Sequence, residues 1–481
     1  MEPETTGTAP DGAERKPPVP GGARPRARKL NMVSGPLFPG VFAFALPVVL
    51  TGLLSLFYNA ADLVVLGRFV EDGDHAISAV GCTGSLINLL IGLFLGLSVG
   101  SSVTIAIALG ARDEKEASAL THTAIAVSAI LGIAVGAVGF IFAPTFLRWM
   151  NCSETLIDDA SLYLRIYFCG TPANMVYNFG AAILRTSGDT RRPLFILGGA
   201  GLVNVGLNLL FVLGLSMSVD GVAIATVTSQ YLSAAAALFF LTRLNNACKL
   251  SFKKISLHKN QLLRILRHGV PAGIQSSLFS FSNVLIQSTI NSFGDVVIAA
   301  STASANLEGF GWTAINAPDA ASMAFVGQNY GAKNTKRIGR AVLVCLLYVM
   351  IFWAAVDGAI LLFRDPLVRL YLPDSPDAVQ VAFSRLTIVV GTYFLCGFMG
   401  VLSSAIRGMG ASLLPTAVAI GGICGLRILW IAFVVPLSPS LRTLMISYPV
   451  SWSITLAVDL VIFLVLFRKR KREIEKTAPA T

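Results

Sequence analysis

The stretch LPVVLTGLLSLFYNAADLVVLGRF, residues 46–69, is the feature that most limits how this chain can fold. About 20 consecutive apolar residues are enough to cross the hydrocarbon core of a bilayer as a helix. Comparable runs recur throughout the chain, which is 54% hydrophobic and 13% charged, whereas a typical soluble domain carries about 25% charged residues. The runs are continuous, without the alternation of a membrane β-barrel strand. The sequence therefore predicts an all-α membrane protein.

The apolar runs predict twelve membrane-spanning helices. Their approximate bounds are 41–66, 76–107, 118–143, 160–184, 193–216, 220–242, 269–293, 296–328, 341–363, 378–405, 413–435 and 442–467. Basic residues concentrate in the connections on one side, and both terminal segments are basic as well. The positive-inside rule then predicts a multi-pass protein of the plasma membrane with both termini in the cytoplasm. This topology accounts for the net charge of +11, so we expect no nucleic-acid partner.

Three motifs occur twice, in the same order, and this predicts an internal duplication. Residues 46–47 match 270–271, residues 110–112 match 331–333, and residues 184–193 match 406–415, with offsets of 224, 221 and 222. Each half holds six predicted helices, an even number, so both halves have the same orientation in the membrane. We therefore expect two pseudo-symmetric six-helix bundles related by an axis along the membrane normal.

The duplication and the composition together predict five regions. We expect a disordered basic tail over 1–36, a first lobe over 37–244, a cytoplasmic linker over 245–267, a second lobe over 268–467 and a basic tail over 468–481. The linker is basic with apolar residues at helical spacing. That pattern fits an amphipathic segment on the membrane surface and equally a solvated basic loop.

Asp62 is the principal candidate for function because it lies inside an apolar run. A charged side chain at membrane depth costs roughly 2.5–3.5 kcal/mol on insertion scales, so such residues are usually functional. Tyr58 and Asn59 precede it by four and three residues and share its face of the helix. The duplicated position is Ile286, so only one half keeps the acid. We predict that Asp62 loads a proton or an ion; the alternative is a carboxylate merely solvated at the outer interface.

Two amide pairs could join Asp62 in a polar pocket. Asn204 and Asn208 are four residues apart in the fifth predicted span, and Asn174 and Asn178 are four apart in the fourth. Each pair therefore shares one helix face. The alternative is that these amides only hold neighbouring helices together, as polar residues do in membranes.

The second half offers different candidates for the wall of a substrate cavity. Asn283 and Gln287 belong to an uncharged polar stripe on the seventh span, and Glu308 lies near the middle of the eighth. Arg427 is the only basic residue assigned to the interior of a span. This imbalance predicts acids that can be neutral when buried rather than a set of buried ion pairs.

Other kinds of chemistry have no support in the motifs. The seven cysteines form no CxxC pair and no cluster with histidines, so we expect no metal site apart from a Na⁺ ion at Asp62. No phosphate-binding loop with its lysine occurs. We therefore expect neither enzymatic activity nor a cofactor beyond the coupling ion, H⁺ or Na⁺.

Several motifs together resemble the multidrug and toxic compound extrusion (MATE) family of transporters over nearly all of 37–467. They are YNAADLVVLGR at 58–68, GARDEKEA at 110–117, LRTSGDTRRP at 184–193, NVGLN at 204–208, GVAIAT at 221–226, PDAASMAFVGQNYGAKN at 318–334 and IRGMG at 406–410. The resemblance implies two six-helix bundles around a V-shaped cavity and antiport of organic cations against H⁺ or Na⁺. It implies that Asp62 and Asn204 belong to the ion site.

This chain departs from the family pattern one turn after Asn204, where many members carry an Asp and this chain has Asn208. The resemblance implies small amphipathic or cationic substrates, contact with membrane lipids and a monomer. A lipid-linked oligosaccharide flippase is an alternative, because such proteins share the two-lobed architecture. A channel or a receptor is a third possibility, which the duplicated bundle with its one-sided acid disfavours.

Overall fold

The computed structural model describes residues 30–70, 73–150, 152–373 and 375–477, and these residues form helices joined by short connections. In chain order, the α-helices are α1 (Leu37–Phe69), α2 (Gly73–Gly110), α3 (Glu114–Trp149), α4 (Ile157–Thr186), α5 (Arg191–Leu209), α6 (Val219–Thr242), α7 (Lys259–Asn291), α8 (Asp295–Gly331), α9 (Thr335–Phe352), α10 (Gly358–Leu362), α11 (Arg364–Tyr371), α12 (Pro376–Val389), α13 (Tyr393–Gly408), α14 (Leu413–Ala419), α15 (Leu426–Leu429) and α16 (Leu441–Thr477). Short π-helical turns extend or join some of them, at Leu210–Gly214, Trp353–Asp357, Ile420–Gly425 and Trp430–Val434.

Nine helical segments of the described residues are long and apolar enough to cross a membrane. The helices α4, α7 and α8 have 30, 33 and 37 residues; they are more polar and lie where three further spans are predicted. Large apolar side chains also cover much of the outside, for example Leu202 and Phe195, which are 72% and 70% exposed. An apolar surface of this extent suits lipid rather than water. The all-α membrane fold predicted from the sequence is confirmed.

The backbone repeats the duplication that the sequence predicts. Arg112 and Lys333 occupy matched positions after α2 and α8, and both have a positive φ, 58° and 56°. Gly188 and Gly410, matched positions after α4 and α13, have φ values of 89° and 81°. A positive φ is unfavourable for residues other than glycine. The same strained turn at Arg112 and at Lys333 therefore indicates a common origin of the two halves.

The helix α1 divides its packing between the two lobes. Its first half, including Phe44 and Val49, lies in a hydrophobic core shared with α8, α9, α13 and α16. Phe44 meets Phe325 edge to face, with 6.1 Å between ring centroids. Its second half packs on α5 of the first lobe. Helix α1, which the sequence assigns to the first lobe, therefore also contacts the second, because an apolar helix of this length can bury its two ends in different cores.

The predicted tail and linker boundaries also need correction. The N-terminal tail was expected to be disordered to residue 36, but Met32 is buried and its carbonyl accepts hydrogen bonds from Asn329 and Arg337. Residues 1–29 lie outside the described part of the chain. Helix α7 begins at Lys259, inside the predicted linker, and the preceding segment packs on the first lobe through buried Leu250. The apolar residues at helical spacing are thus explained by a long α7.

The two lobes touch closely where α2 meets α7. A Cβ on Gly96 would lie 2.4 Å from the Cα of Gly273, and a Cβ on Gly100 would lie 2.1 Å from the carbonyl oxygen of Ile265. Small residues let membrane helices approach at backbone distance. This seam holds the lobes together at the end that carries the first residues of α7.

Candidate functional site

Asp62 and Asn208 form the central contact of the candidate site. The Nδ2 of Asn208 donates a hydrogen bond of 2.5 Å to Oδ1 of Asp62. Asn208 is fully buried in the last turn of α5, and its own Oδ1 has no hydrogen-bond partner among the described residues. Asp62, on α1, is partly buried. The site therefore offers one carboxylate and one unused amide oxygen side by side.

Glycines on α5 bring α1 close enough to make this contact. The hydroxyl of Tyr58 donates to the carbonyl of Gly198 over 2.9 Å. A Cβ on Gly201 would lie 1.9 Å from the Tyr58 ring, so the ring fills the place of a side chain at that position. Tyr58 thus fixes the spacing of the two helices one turn before Asp62. The grouping of Tyr58, Asp62 and Asn208 follows the sequence-based prediction.

The other two amides predicted for the ion site differ in their surroundings. Asn204 is buried one turn before Asn208, and its Nδ2 is 3.5 Å from the Thr226 hydroxyl on α6. This places a third helix beside the pair. Asn59 is exposed, so it does not share the buried surroundings of Asn208 although it precedes Asp62 by three residues.

A polar line along α4 approaches Asp62 from inside the first lobe. Tyr163 interacts electrostatically with Asp62, and its ring lies 6.4 Å from that of Tyr167. The Tyr167 hydroxyl is within polar reach of Asn174, which accepts a hydrogen bond from Asn178. The predicted amide pair on α4 is therefore linked to Asp62 through two tyrosines rather than directly.

Sequence reasoning missed these two tyrosines, as well as Thr226 on α6. A signal for the tyrosines exists, since residues 163, 167, 174 and 178 follow one face of a helix at steps of four, seven and four. No pattern within α6 marks Thr226. Its role comes only from the way α5 and α6 pack.

Glu308 forms a buried ion pair in the second lobe. Nε and Nη2 of Arg385 donate to its two carboxylate oxygens over 2.7 and 2.9 Å. The Glu308 side chain is 9% exposed and the Arg385 side chain 7%. Bidentate pairs of this kind are among the strongest charge-assisted hydrogen bonds. Asn283 and Gln287 on α7 are exposed, and Gln287 donates to Asn291.

The expectation that Arg427 would be the only basic residue inside a span is wrong. Arg385 and Arg407 are also buried, on α12 and at the end of α13. Arg427 lies over the Tyr448 ring, 4.0 Å from its centroid. Both arginines are assigned to connections by the sequence-based prediction, as is usual for basic residues, although Arg385 lies inside the predicted span 378–405 and Arg407 just beyond its end.

One family model, described as MatE, matches the chain twice, over residues 47–210 and 271–433. The chain belongs to the MATE family of membrane transporters. The two matches begin 224 residues apart, in agreement with the duplication. As a MATE protein the chain is a multi-pass membrane transporter with two helical bundles, and MATE proteins are transporters rather than enzymes.

Curated relatives and solved structures cover most of this MATE protein. It is 26% identical over 424 residues to "Probable multidrug resistance protein YoeA" of Bacillus subtilis, covering 86% of this chain and 90% of the relative. It is 23% identical to "Multidrug export protein MepA" of Staphylococcus haemolyticus, covering 90% and 93%. It matches a solved "Outward-facing conformation of a multidrug resistance MATE family transporter" with a TM-score of 0.83 and 22% identity, covering 94% and 100%. The last likeness shows a shared fold.

Proposed function

We propose that this MATE protein is a secondary antiporter that exports small amphipathic or cationic compounds in exchange for H⁺ or Na⁺. The observation that carries the proposal is the hydrogen bond between Asp62 and Asn208 at the seam of α1 and α5. An isolated acid in an apolar lobe is costly unless it binds something. Loading and unloading of an ion at this acid couples export to the ion gradient.

The chemistry of the pair suits either ion. The Asn208 amide can donate to Asp62 whether or not the acid carries a proton, because a protonated carboxyl retains an acceptor oxygen. The unused Oδ1 of Asn208 can accept the proton of a neutral Asp62. The same oxygen, together with the carboxylate, offers the hard oxygen ligands that alkali and alkaline-earth cations prefer. Asn204, buried one turn before Asn208, extends this set of oxygens.

The transport cycle alternates between a conformation open to the cytoplasm and one open to the outside. The compound binds from the cytoplasm while Asp62 is ionised, and the lobes then reopen to the outside. H⁺ or Na⁺ loads Asp62 there, weakens the hold on the compound and returns the carrier. A ligand shifts two conformations only through its differential affinity for them, so the charge state of Asp62 must be coupled to compound binding.

The names of the relatives support a xenobiotic cargo, since two of them are described as multidrug resistance or export proteins. We propose that Tyr58, Asn174, Asn178, Asn283, Gln287 and Glu308 border the path of the compound. Of these, Glu308 contributes no free charge, because Arg385 neutralises it. The protein acts in the plasma membrane as a monomer, with both termini in the cytoplasm.

The flippase alternative gains nothing from the additional buried arginines. A pyrophosphate-linked substrate needs unpaired positive charge in the cavity. Arg385 is bonded to Glu308, and Arg427 lies over the rings of Tyr448 and Trp452. Arg407 donates to Gln275 and faces two acids, Asp319 and Asp459, so its charge is compensated as well.

Dye efflux from proteoliposomes, with a pH gradient and a sodium gradient imposed separately, tests the proposed function. One gradient should drive export by the wild type and not by Asp62→Asn. Asp365→Asn is the matched control. Asp365 is far from Asp62 in the sequence and, unlike Asp62, is exposed and paired with Arg369. Export that ignores both gradients, or full export by Asp62→Asn, would contradict the proposal.

A further inference from the structure

A separate cavity of about 190 Å³ lies in the second lobe, between α7, α8 and α13. Its charged lining residues, within the described part of the chain, are Asp319 and Arg407. Uncharged residues complete the walls, among them Gln275, Ser276, Phe279, Trp312, Asn316 and Met399. Neither Asp62 nor Glu308 belongs to this cavity.

The Arg407 guanidinium is shared between two acids. Arg407 interacts electrostatically with Asp319 and with Asp459 on α16. Asp459 is fully buried and accepts a 2.6 Å hydrogen bond from Ser403. A ligand cannot reach an acid enclosed in this way. Since one positive charge faces two acids, the surplus negative charge is available to a ligand only at Asp319.

Polar atoms around the cavity remain without partners. Arg407 is 9% exposed, its Nη2 donates to Gln275 over 2.6 Å, and its Nε has no hydrogen-bond partner among the described residues. Oδ1 of Asp319 is buried and likewise unpartnered there. Buried polar groups are normally satisfied. The unpartnered Oδ1 of Asp319 is the atom that a cationic ligand can contact, because the Arg407 Nε is a positively charged donor.

The apolar walls indicate what kind of ligand fits. Phe279 and Trp312 supply aromatic faces, which attract cations, and Met399 adapts to irregular apolar shapes. Trp312 is 45% exposed, so its ring remains accessible. The volume is below the roughly 300 Å³ of a site for a whole drug-sized molecule, so the cavity suits one aromatic, positively charged head.

We propose that this cavity binds the cationic head of the exported compound and that Asp319 is the residue that selects its positive charge. The inference rests on the proposed export function and adds a division of labour to it. Asp62 in one lobe loads the ion, and Asp319 in the other holds the compound. The two ligands then communicate through the arrangement of the lobes instead of competing for one carboxylate.

The position of the cavity allows such communication. The hydrogen bond from Arg407 to Gln275 connects the charge cluster to α7, the helix that forms the close glycine seam with α2 of the first lobe. Ser276, which lines the cavity, also lies 3.4 Å from the position of a Cβ on Gly92 of α2. A ligand in the cavity therefore borders the surface along which the lobes must move.

Binding of two matched probes to the purified full-length protein tests the inference. The probes are 1-methylquinolinium and its uncharged isostere 1-methylnaphthalene, measured by displacement of a bound fluorescent dye. The wild type should bind the cation at least tenfold more tightly than the neutral probe. In Asp319→Asn, the ratio of the affinities for the cation and the neutral probe should fall close to one. In Asp62→Asn, this ratio should stay as in the wild type even where the affinities for both probes change.

A variant that binds the cation more tightly provides a second test, because misfolding cannot produce such a gain. Asn316 lies one turn before Asp319 and lines the same cavity, so Asn316→Asp should increase the preference for the cation severalfold. A preference that survives Asp319→Asn, or that vanishes in Asp62→Asn instead, would overturn the assignment. Failure of the proposed antiport would look different: the Asp319-dependent preference would persist while proteoliposomes showed no gradient-driven export.

Discussion

The two lobes share a backbone plan but treat their buried acids in opposite ways. In the first lobe, Asp62 has an amide partner, Asn208. In the second, Glu308 has a bidentate arginine, Arg407 interacts with both Asp319 and Asp459, and Asp357 is fully buried with no side-chain hydrogen-bond partner among the described residues. An amide gives an acid a neutral partner, whereas a guanidinium gives it a charged one. The comparison teaches that duplication conserved the helices while the two lobes gave their buried acids different partners.

The matched helices α1 and α7 show the same divergence. Ile286, opposite Asp62 in the duplication, is buried in an apolar core of the second lobe. The polar residues of α7 near it, Asn283 and Gln287, are exposed. The second lobe therefore carries its acids on other helices, where arginines from α12 and α13 reach Glu308, Asp319 and Asp459.

The largest expected effect comes from breaking the second-lobe ion pair. Arg385→Met leaves Glu308 buried without its partner, and loss of one member of a buried pair costs about 3–5 kcal/mol. We expect a large fall in the thermal unfolding temperature in detergent. The double variant Glu308→Gln with Arg385→Met should recover most of that loss.

The matched control for this prediction is Arg369→Met, which removes an exposed pair with Asp365. Exposed pairs contribute about 0.2–1 kcal/mol, so this variant should unfold near the wild-type temperature. Equal losses in Arg385→Met and Arg369→Met would show that the buried pair has no special role.

The next effect concerns the seam that positions Asp62. Gly201→Ala places a methyl group against the Tyr58 ring, and overpacking of this kind typically costs about 1–3 kcal/mol. Gradient-driven export should fall as α1 moves away from α5. Gly206→Ala, on the same helix with open space around its Cβ position, is the control and should leave both stability and export near wild type.

A second carboxylate in the first lobe would sharpen the contrast between the lobes. Asn208→Asp puts an acid at hydrogen-bond distance from Asp62, and two neighbouring carboxylates cannot both ionise without a cation or a shared proton. We expect the coupling ion to be held about tenfold more tightly, or about 1.4 kcal/mol. The measurement is the ion concentration that half-saturates export; an unchanged value would argue against ion loading at this pair.

The smallest effect is expected at the α4 amides. The Asn178 side chain donates to Asn174 within the same helix, and side-chain hydrogen bonds in membrane proteins average about 0.6 kcal/mol. Asn178→Ala should therefore shift the unfolding temperature slightly and reduce export by a small factor. Abolished export would instead give α4 a direct part in ion loading.

Local sequence patterns predicted the helices, the duplication and Asp62, but not the contacts between residues far apart in the chain. The apolar runs and the repeated motifs predicted the helices and the duplication, because both depend on residues close in the chain. Asp62 was identifiable because an ionisable residue inside an apolar run stands out from the adjacent sequence. The Glu308–Arg385 pair was not, because it joins residues 77 positions apart and no alternation or spacing links α8 to α12. The crossing of α1 between lobes escaped for the same reason.

The most direct test of ion loading at Asp62 is to count the ions released when a cationic dye binds to the purified, unbuffered protein. The wild type should release about one proton, or one sodium ion in sodium-loaded samples, for each dye molecule bound. Asp62→Asn should still bind the dye but release no ion. Equal release from both proteins would place the coupling group elsewhere in the molecule.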